Sequence, residues 1–214
     1  MPTATETALT TEQYDLLQRA FDHFNNTLYG GELPNVLITV ARKAKTKGYF
    51  WADRYTSKGS GEVIHEIALN PDFFQGDDVA ADVLSTLVHE MAHLWQEAFG
   101  EKKPRKAYHN REWANKMKAV GLIPSNTGMP GGKQTGQKMT HYIDPDGVFE
   151  KSCHEFLKEV KPFLIEAILY PVIPKETKNS KVPYICEKCG SKAWAKPETL
   201  LKCGRCDEPM ESQE

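Results

Sequence analysis

The stretch Thr86-Leu87-Val88-His89-Glu90-Met91-Ala92-His93-Leu94-Trp95 decides the reading of this chain. Read as one helix from Asp78 to Phe99, the surrounding run sets His89 and His93 four residues apart on one face. Two imidazoles at that spacing grip one zinc ion, and Glu90 between them points at the water such an ion activates. Leu84, Leu87, Val88, Met91, Leu94 and Trp95 make the run apolar nearly all round, which predicts a buried helix. Buried His and Glu need partners, because unpaired polar groups are costly inside a protein. A metal ion serves all three side chains. A metal, a base and an open coordination position are the parts of a hydrolase. Glu90 is therefore the candidate catalytic residue, and His89 and His93 are candidate ligands.

A catalytic zinc takes a third protein ligand and keeps a position free. The metzincin pattern would need glycine at position 96 and histidine at position 99, but the chain carries Gln96 and Phe99. The candidate is His109, in Tyr108-His109-Asn110-Arg111-Glu112-Trp113. It follows a polar, basic loop from Glu101 to Lys106 and precedes a helical stretch, Arg111 to Val120, closed by Gly121. A loop of that length returns the chain to the first helix. Glu112 is the rival, since zinc sites with a glutamate third ligand exist, although it also suits the first turn of a helix.

These two stretches together resemble the SprT-like metalloproteases, the group of the bacterial SprT proteins and the Spartan DNA–protein crosslink proteases. Glu66-Ile67-Ala68-Leu69-Asn70 before the motif helix and Lys138-Met139-Thr140-His141-Tyr142 after it are similar as well. The resemblance covers most of residues 10 to 206. It implies that His89, His93 and His109 bind zinc, that Glu90 is the catalytic base, and that substrates are proteins on or crosslinked to DNA. It assigns nothing to the segment Asn126 to Gln137.

The second signal is Cys186-x2-Cys189, thirteen residues, then Cys203-x2-Cys206. Two such knuckles read as a four-thiolate structural zinc ribbon. Disulfides are the alternative, but Met1 to Gln13 is polar and acidic with no signal-peptide core, and a cytosolic chain rarely keeps disulfides. Gly190 and Gly204 are expected to supply positive φ in the knuckles, and Ala193-Trp194-Ala195 a short strand. Cys153, beside His154, reads as a plain free thiol. Two zinc ions are expected, one catalytic and one structural.

At 214 residues, 40% hydrophobic and with 4 Trp, the chain can hold one sizeable core and a small module. No stretch approaches the roughly 20 apolar residues of a membrane span. A cytoplasmic protein (nucleoid-associated if bacterial) with no membrane partner is expected, and oligomeric state is not legible. Net charge is only −2. Its distribution is uneven: residues 61 to 90 hold no Lys or Arg, whereas Lys102, Lys103, Arg105, Lys106, Arg111, Lys116 and Lys118 cluster near the third ligand. The ribbon and its approach are also lysine-rich. Such asymmetry fits DNA contact, single-stranded or junction DNA in particular, with Trp194, Tyr49, Phe50 and Trp51 available to stack on unpaired bases. A solvated surface, or aromatic residues in core or strands, explains the same residues.

The predicted fold class is α+β: a zincin-like domain with a short antiparallel sheet beside the HExxH active-site helix, followed by a C-terminal zinc ribbon. Residues 1–9 read as a disordered tail, 10–170 as the metalloprotease domain, 171–182 as linker and 183–210 as ribbon. Thr11 to Tyr29 is an expected amphipathic helix stopped by Gly30-Gly31. Val36 to Val40, Gly48 to Tyr55 and Glu62 to Leu69 are expected strands. Met139 to Ile143 and Val148-Phe149 are expected to form a hairpin, and Phe156 to Leu169 a helix that Pro162 interrupts. Two functions compete: a zinc protease, or a nucleic-acid-associated ribbon protein whose protease site is weak or vestigial. A zinc hydrolase of non-protein amides is a third.

Overall fold

The computed structural model describes residues 8–75, 78–101, 105, 108–160 and 181–213. The chain divides into two compact units, Met1–Ile168 and Leu169–Glu214. Residues 171–180 of the predicted linker, the distal part of the predicted 156–169 helix and Lys102, Lys103 and Lys106 lie outside the described residues, and the last linker position, Val182, opens a strand instead.

In the first unit, α1 (Leu9–Leu28) begins two residues before the predicted start, inside the predicted tail. Its Leu17, Ala20, Phe21 and Phe24 recur at helical spacing and are buried. The strands β1 (Val36–Val40), β2 (Gly48–Thr56) and β3 (Val63–Leu69) form one sheet in the order β1-β3-β2. The sheet is mixed rather than antiparallel: β2 runs antiparallel to β3, but β1 runs parallel to it. The strands sort by burial. β3 carries the fully buried Ile67, Ala68 and Leu69 and takes the centre, which forces β1 and β2 to opposite sides. Regular β2–β3 pairing runs from Gly48 to Trp51, breaks, and resumes at Tyr55; Asp53 sits in the break at φ 52°.

The motif helix α2 (Val79–Phe99) is the centre of the unit. Asp78 caps it, its carboxylate accepting from the Ala81 N–H. Every residue from Val83 to Ala92 is buried, as an all-round apolar helix requires. The Tyr29 hydroxyl donates to the Val88 carbonyl at 2.9 Å and ties the end of α1 to the middle of α2. The sheet covers one side of α2, and α1 with α4 (Val148–Glu159) covers another, with Phe24 stacked on Phe149 at 5.6 Å.

After α2 come α3 (Arg111–Ala119), β4 (Leu122–Ser125) and β5 (Thr140–Ile143). The predicted hairpin between β5 and Val148-Phe149 does not form. β5 pairs with β4, and Val148-Phe149 open α4. The helical period of Phe149, Cys153 and Phe156 buries one face, and that burial outweighs the strand propensity of two residues.

The second unit is a four-stranded antiparallel sheet in the order β7-β6-β9-β8, from β6 (Val182–Ile185), β7 (Lys192–Ala195), β8 (Leu201–Lys202) and β9 (Pro209–Ser212). Among the described residues no helix is long and apolar enough to cross a membrane.

Candidate metal centre

His89, His93 and His109 each offer a ring nitrogen, and the three nitrogens lie within 4.8 Å of one another. Two come from successive turns of α2. The third arrives on the segment before α3, which Asn110 starts by accepting from the Trp113 N–H at 3.0 Å. Asn110 also accepts from Gln96 of α2 at 2.8 Å, so the cap of α3 is fastened to the motif helix beside the ligand. Glu112 goes elsewhere. Its carboxylate accepts from Gln96 Nε2 at 3.1 Å and from the Glu101 backbone N–H at 2.8 Å, and it is not part of the nitrogen cluster.

The ring tautomers suit a cation. A carbonyl can only accept, so His109 Nδ1, 3.1 Å from the Gly136 oxygen, carries the proton and leaves Nε2 as a lone pair. Main-chain bonds between His109 and Gly136 run both ways, at 2.8 and 3.1 Å. Gly136 has φ 150°, a region almost restricted to glycine. The glycine-rich segment 126–137, to which the family resemblance assigns nothing but whose glycines suit a loop bordering the cleft, thereby acquires a part in the site. His89 Nδ1 lies 3.1 Å from Nδ1 of His141, which β5 carries in. Tyr142, its neighbour, alternates to the other face of the strand.

Burial keeps these imidazoles neutral, the form that binds metal. It drives His89 well below the ordinary histidine range, reinforced by His141, His93 and His109, and pushes His93 down to about 3. His141 falls to about 4, first by burial and then by Lys47. Trp113 frames the group. It is fully buried, and its ring centroid lies 4.9, 5.2 and 4.4 Å from those of His89, His93 and His109. The donor chemistry therefore fits a zinc ion: three neutral nitrogens, two of them oriented by outer partners.

Glu90 is buried beside them. Burial pushes its carboxyl up to about 8, against the Phe50 backbone N–H and Lys43, which both favour the ionised form. A cation among the three imidazoles acts in the same sense as Lys43. β2 approaches α2 closely here, because Gly48 has no side chain. A Cβ at that position would lie 2.9 Å from Thr86 Cγ2 and 3.2 Å from Glu90 Oε1. The Lys47–Asp82 ion pair, at 2.6 Å, joins the same strand end to α2.

Glu90 and the histidines line an open cleft of about 1,090 Å³, bounded on one side by β2 from Gly48 to Ala52 and on the other by Met139 to His141. Of the aromatic trio on β2, Phe50 faces inward, stacked on His93 at 6.5 Å. Tyr49 and Trp51 alternate to the outer face, with Lys43 4.3 Å from the Tyr49 ring and Arg54 4.2 Å from the Trp51 ring.

In the second unit the sulfurs of Cys186, Cys189, Cys203 and Cys206 also lie within 4.8 Å of one another. All are free thiols, and the 3.6 Å between Cys189 and Cys203 is far beyond a disulfide bond. Tetrahedral Zn–S bonds of about 2.3 Å set sulfurs roughly 3.8 Å apart, so the cluster fits zinc. Of the two glycines expected to supply positive φ, only Gly190 does so, at 70°. In the second knuckle Asp207, directly after Cys206, takes that conformation at 59°, so Gly204 is not needed for it.

The SprT-like family matches residues 17–134, more than half of the chain and all three histidines. An uncharacterized protein from the mucB 3' region of Salmonella typhimurium is 47% identical over 58 residues, which are 27% of this chain and 78% of that relative. The family is one of metallopeptidase-type domains, as the neutral imidazole cluster beside a buried carboxylate leads one to expect. The chain belongs to the SprT-like family.

Proposed function

We propose that this protein is a zinc-dependent metallopeptidase that hydrolyses peptide bonds of DNA-associated or DNA-crosslinked proteins. One observation carries the reading: three neutral imidazoles converge with a buried glutamate in an open cleft. In this reading the first unit is a zincin-like domain in which His89, His93 and His109 hold the catalytic zinc. Residues 183–210 are a ribbon in which Cys186, Cys189, Cys203 and Cys206 hold a structural one.

When bound, the catalytic zinc polarises the scissile carbonyl and lowers the pKa of water from about 15.7 to about 7. The remaining work falls to the chain. Glu90, one residue from a ligand and held by the Phe50 N–H, takes the proton of the attacking water and returns it to the leaving amine. Phe50 and Trp113 pack against the imidazoles and hold their rings in place. The outer edge of β2 lines the cleft and offers main-chain hydrogen bonds to an extended peptide.

The DNA component rests on the family resemblance and on aromatic–cation pairs suited to unpaired bases, Lys43 with Tyr49 and Arg54 with Trp51. A second reading has one observation in its favour. Trp194 is 62% exposed on β7, between Lys192 and Lys196 along the chain, which suits a ribbon that itself binds nucleic acid.

Zinc stoichiometry by elemental analysis tests the proposal, on wild type and on a His89→Ala/His93→Ala double variant. Two zincs per chain falling to one supports it, as does proteolysis stimulated by single-stranded or junction DNA. One zinc that the double variant leaves unchanged moves the binding-module reading ahead.

A further inference from the structure

A metal-ligating histidine donates its second ring N–H to a fixed acceptor, which sets its tautomer. For His109 that acceptor is the Gly136 carbonyl. For His89 it is another histidine, with the two Nδ1 atoms 3.1 Å apart. Two neutral imidazole nitrogens at this distance hold one proton between them, one ring donating and the other accepting. Nδ1 of His89 is engaged by His141, which leaves Nε2 as the nitrogen available to a cation. With Nε2 committed to a cation, the proton of His89 stands on Nδ1. His141 must then accept through its own Nδ1, and as a neutral ring it carries its proton on Nε2. No hydrogen bond occupies that Nε2 among the described residues, and His141 lines the same cleft as Glu90 and His93.

We propose that His141 is a hydrogen-bond donor to the acyl oxygen of the bound peptide, its Nε2–H set in place by ligation of His89. The acyl-oxygen role rests on the peptidase reading; the tautomer rests only on metal binding at His89. The geometry is preorganised. His141 sits on a strand, opposite Pro124 in the β4–β5 pair, and β4 follows α3 after a single turn at Gly121. Donor and third ligand thus issue from one continuous stretch of chain. A fixed donor aimed at developing negative charge contributes about 10²–10³-fold to turnover. Tyr142, on the opposite face of β5, is not placed to do this.

The test has two arms. Long-range ¹⁵N–¹H spectra of the zinc-loaded full chain, with His141→Asn used for assignment, should show His141 as the Nε2–H tautomer. Steady-state cleavage of casein, with and without single-stranded DNA, then compares two substitutions. His141→Asn keeps an acceptor where Nδ1 stood and loses the outward donor. It should retain two zincs and an unchanged KM while kcat falls about 100-fold. His141→Gln places an amide N–H nearer the Nε2 position and loses the acceptor. It should recover part of kcat at saturating zinc while binding zinc about 10–100-fold more weakly. An Nδ1–H tautomer at His141 overturns the proposal, and so does a His141→Asn variant with wild-type kcat. Wild type with two zincs and the Nε2–H tautomer that cleaves nothing overturns the peptidase reading and the acyl-oxygen role with it. That result leaves the tautomer relay standing.

Discussion

At the scale of single residues, the site is organised by the second ring nitrogens of its histidines. His109 gives its Nδ1 proton to a main-chain carbonyl, and His89 meets His141. Both partners are distant in sequence, at 27 and 52 residues, which is why the sequence alone sets neither against its histidine. The i, i+4 pair and its glutamate were readable because one helix fixes their relation. The choice of His109 over Glu112 rests on spacing and the family resemblance, because the geometry depends on where the loop before α3 sets each side chain. Replacing Glu90 with Gln should leave zinc at two per chain and lower peptidase turnover by about 10²–10⁴-fold; full activity in that variant would remove Glu90 from the mechanism. His109→Ala should lose one zinc and keep the ribbon metal, and an unchanged metal count would bring Glu112 back. Cys153 lies outside this chemistry. Burial pushes its thiol up to about 12, with Asp78 and Glu150 acting in the same direction. A raised thiol pKa means that the stability it contributes is complete below the unfolded value near 9 and is lost as pH climbs toward 12. Iodoacetamide at pH 8 should therefore leave Cys153 unlabelled in the native protein and label it after denaturation. Rapid native labelling, read by peptide mass spectrometry, would contradict this environment.

At the scale of elements, the sequence was most informative where one physical demand dominated. The motif helix, expected from Asp78 to Phe99, runs from Val79 to Phe99 with Asp78 as its cap. β1 matches its expected span of Val36 to Val40. The weak point was the region after α3. β4 is four residues long and contains Pro124, which cannot donate to a ladder, so it gave little strand signal. With so little strand signal at β4, the sequence points β5 toward Val148-Phe149 instead of its true partner. The turn Asp144-Pro145-Asp146-Gly147 in fact leads into α4, with Gly147 at its N-terminal cap. The mixed character of the first sheet was illegible for a related reason: strand spacing does not reveal that β3 inserts between β1 and β2. The contact between β2 and α2 yields a direct prediction. Gly48→Ala drives a methyl into Thr86, the Ala68 carbonyl and Glu90, so it should destabilise the first unit by about 1–3 kcal/mol. Peptidase activity should fall with it, because the Phe50 N–H that holds Glu90 lies two residues along the same strand. An unchanged urea midpoint would mean that the strand can retreat from the helix without cost.

At the scale of the whole molecule, each compact unit gathers its own set of donor atoms able to hold a metal, three imidazoles in one and four thiols in the other. With zinc held by its four thiols, a ribbon with so few buried side chains would draw its folding energy from the metal. Cys186→Ser/Cys189→Ser should therefore remove one zinc and unfold the second unit while the histidine-bound zinc remains. Loss of both metals would show that the units do not fold independently. The break in β2 bears on how much of a target such an enzyme would need to hold. Only Gly48 to Trp51 form a regular edge before the register breaks around Asp53. At about 3.4 Å per residue that edge is roughly 14 Å long. A guest chain laid along it is read over about four residues and then released, so a frayed terminus or one slack loop is enough. Such a site would sort its targets by how easily a short length can be pulled free, with little regard to what the remainder is attached to.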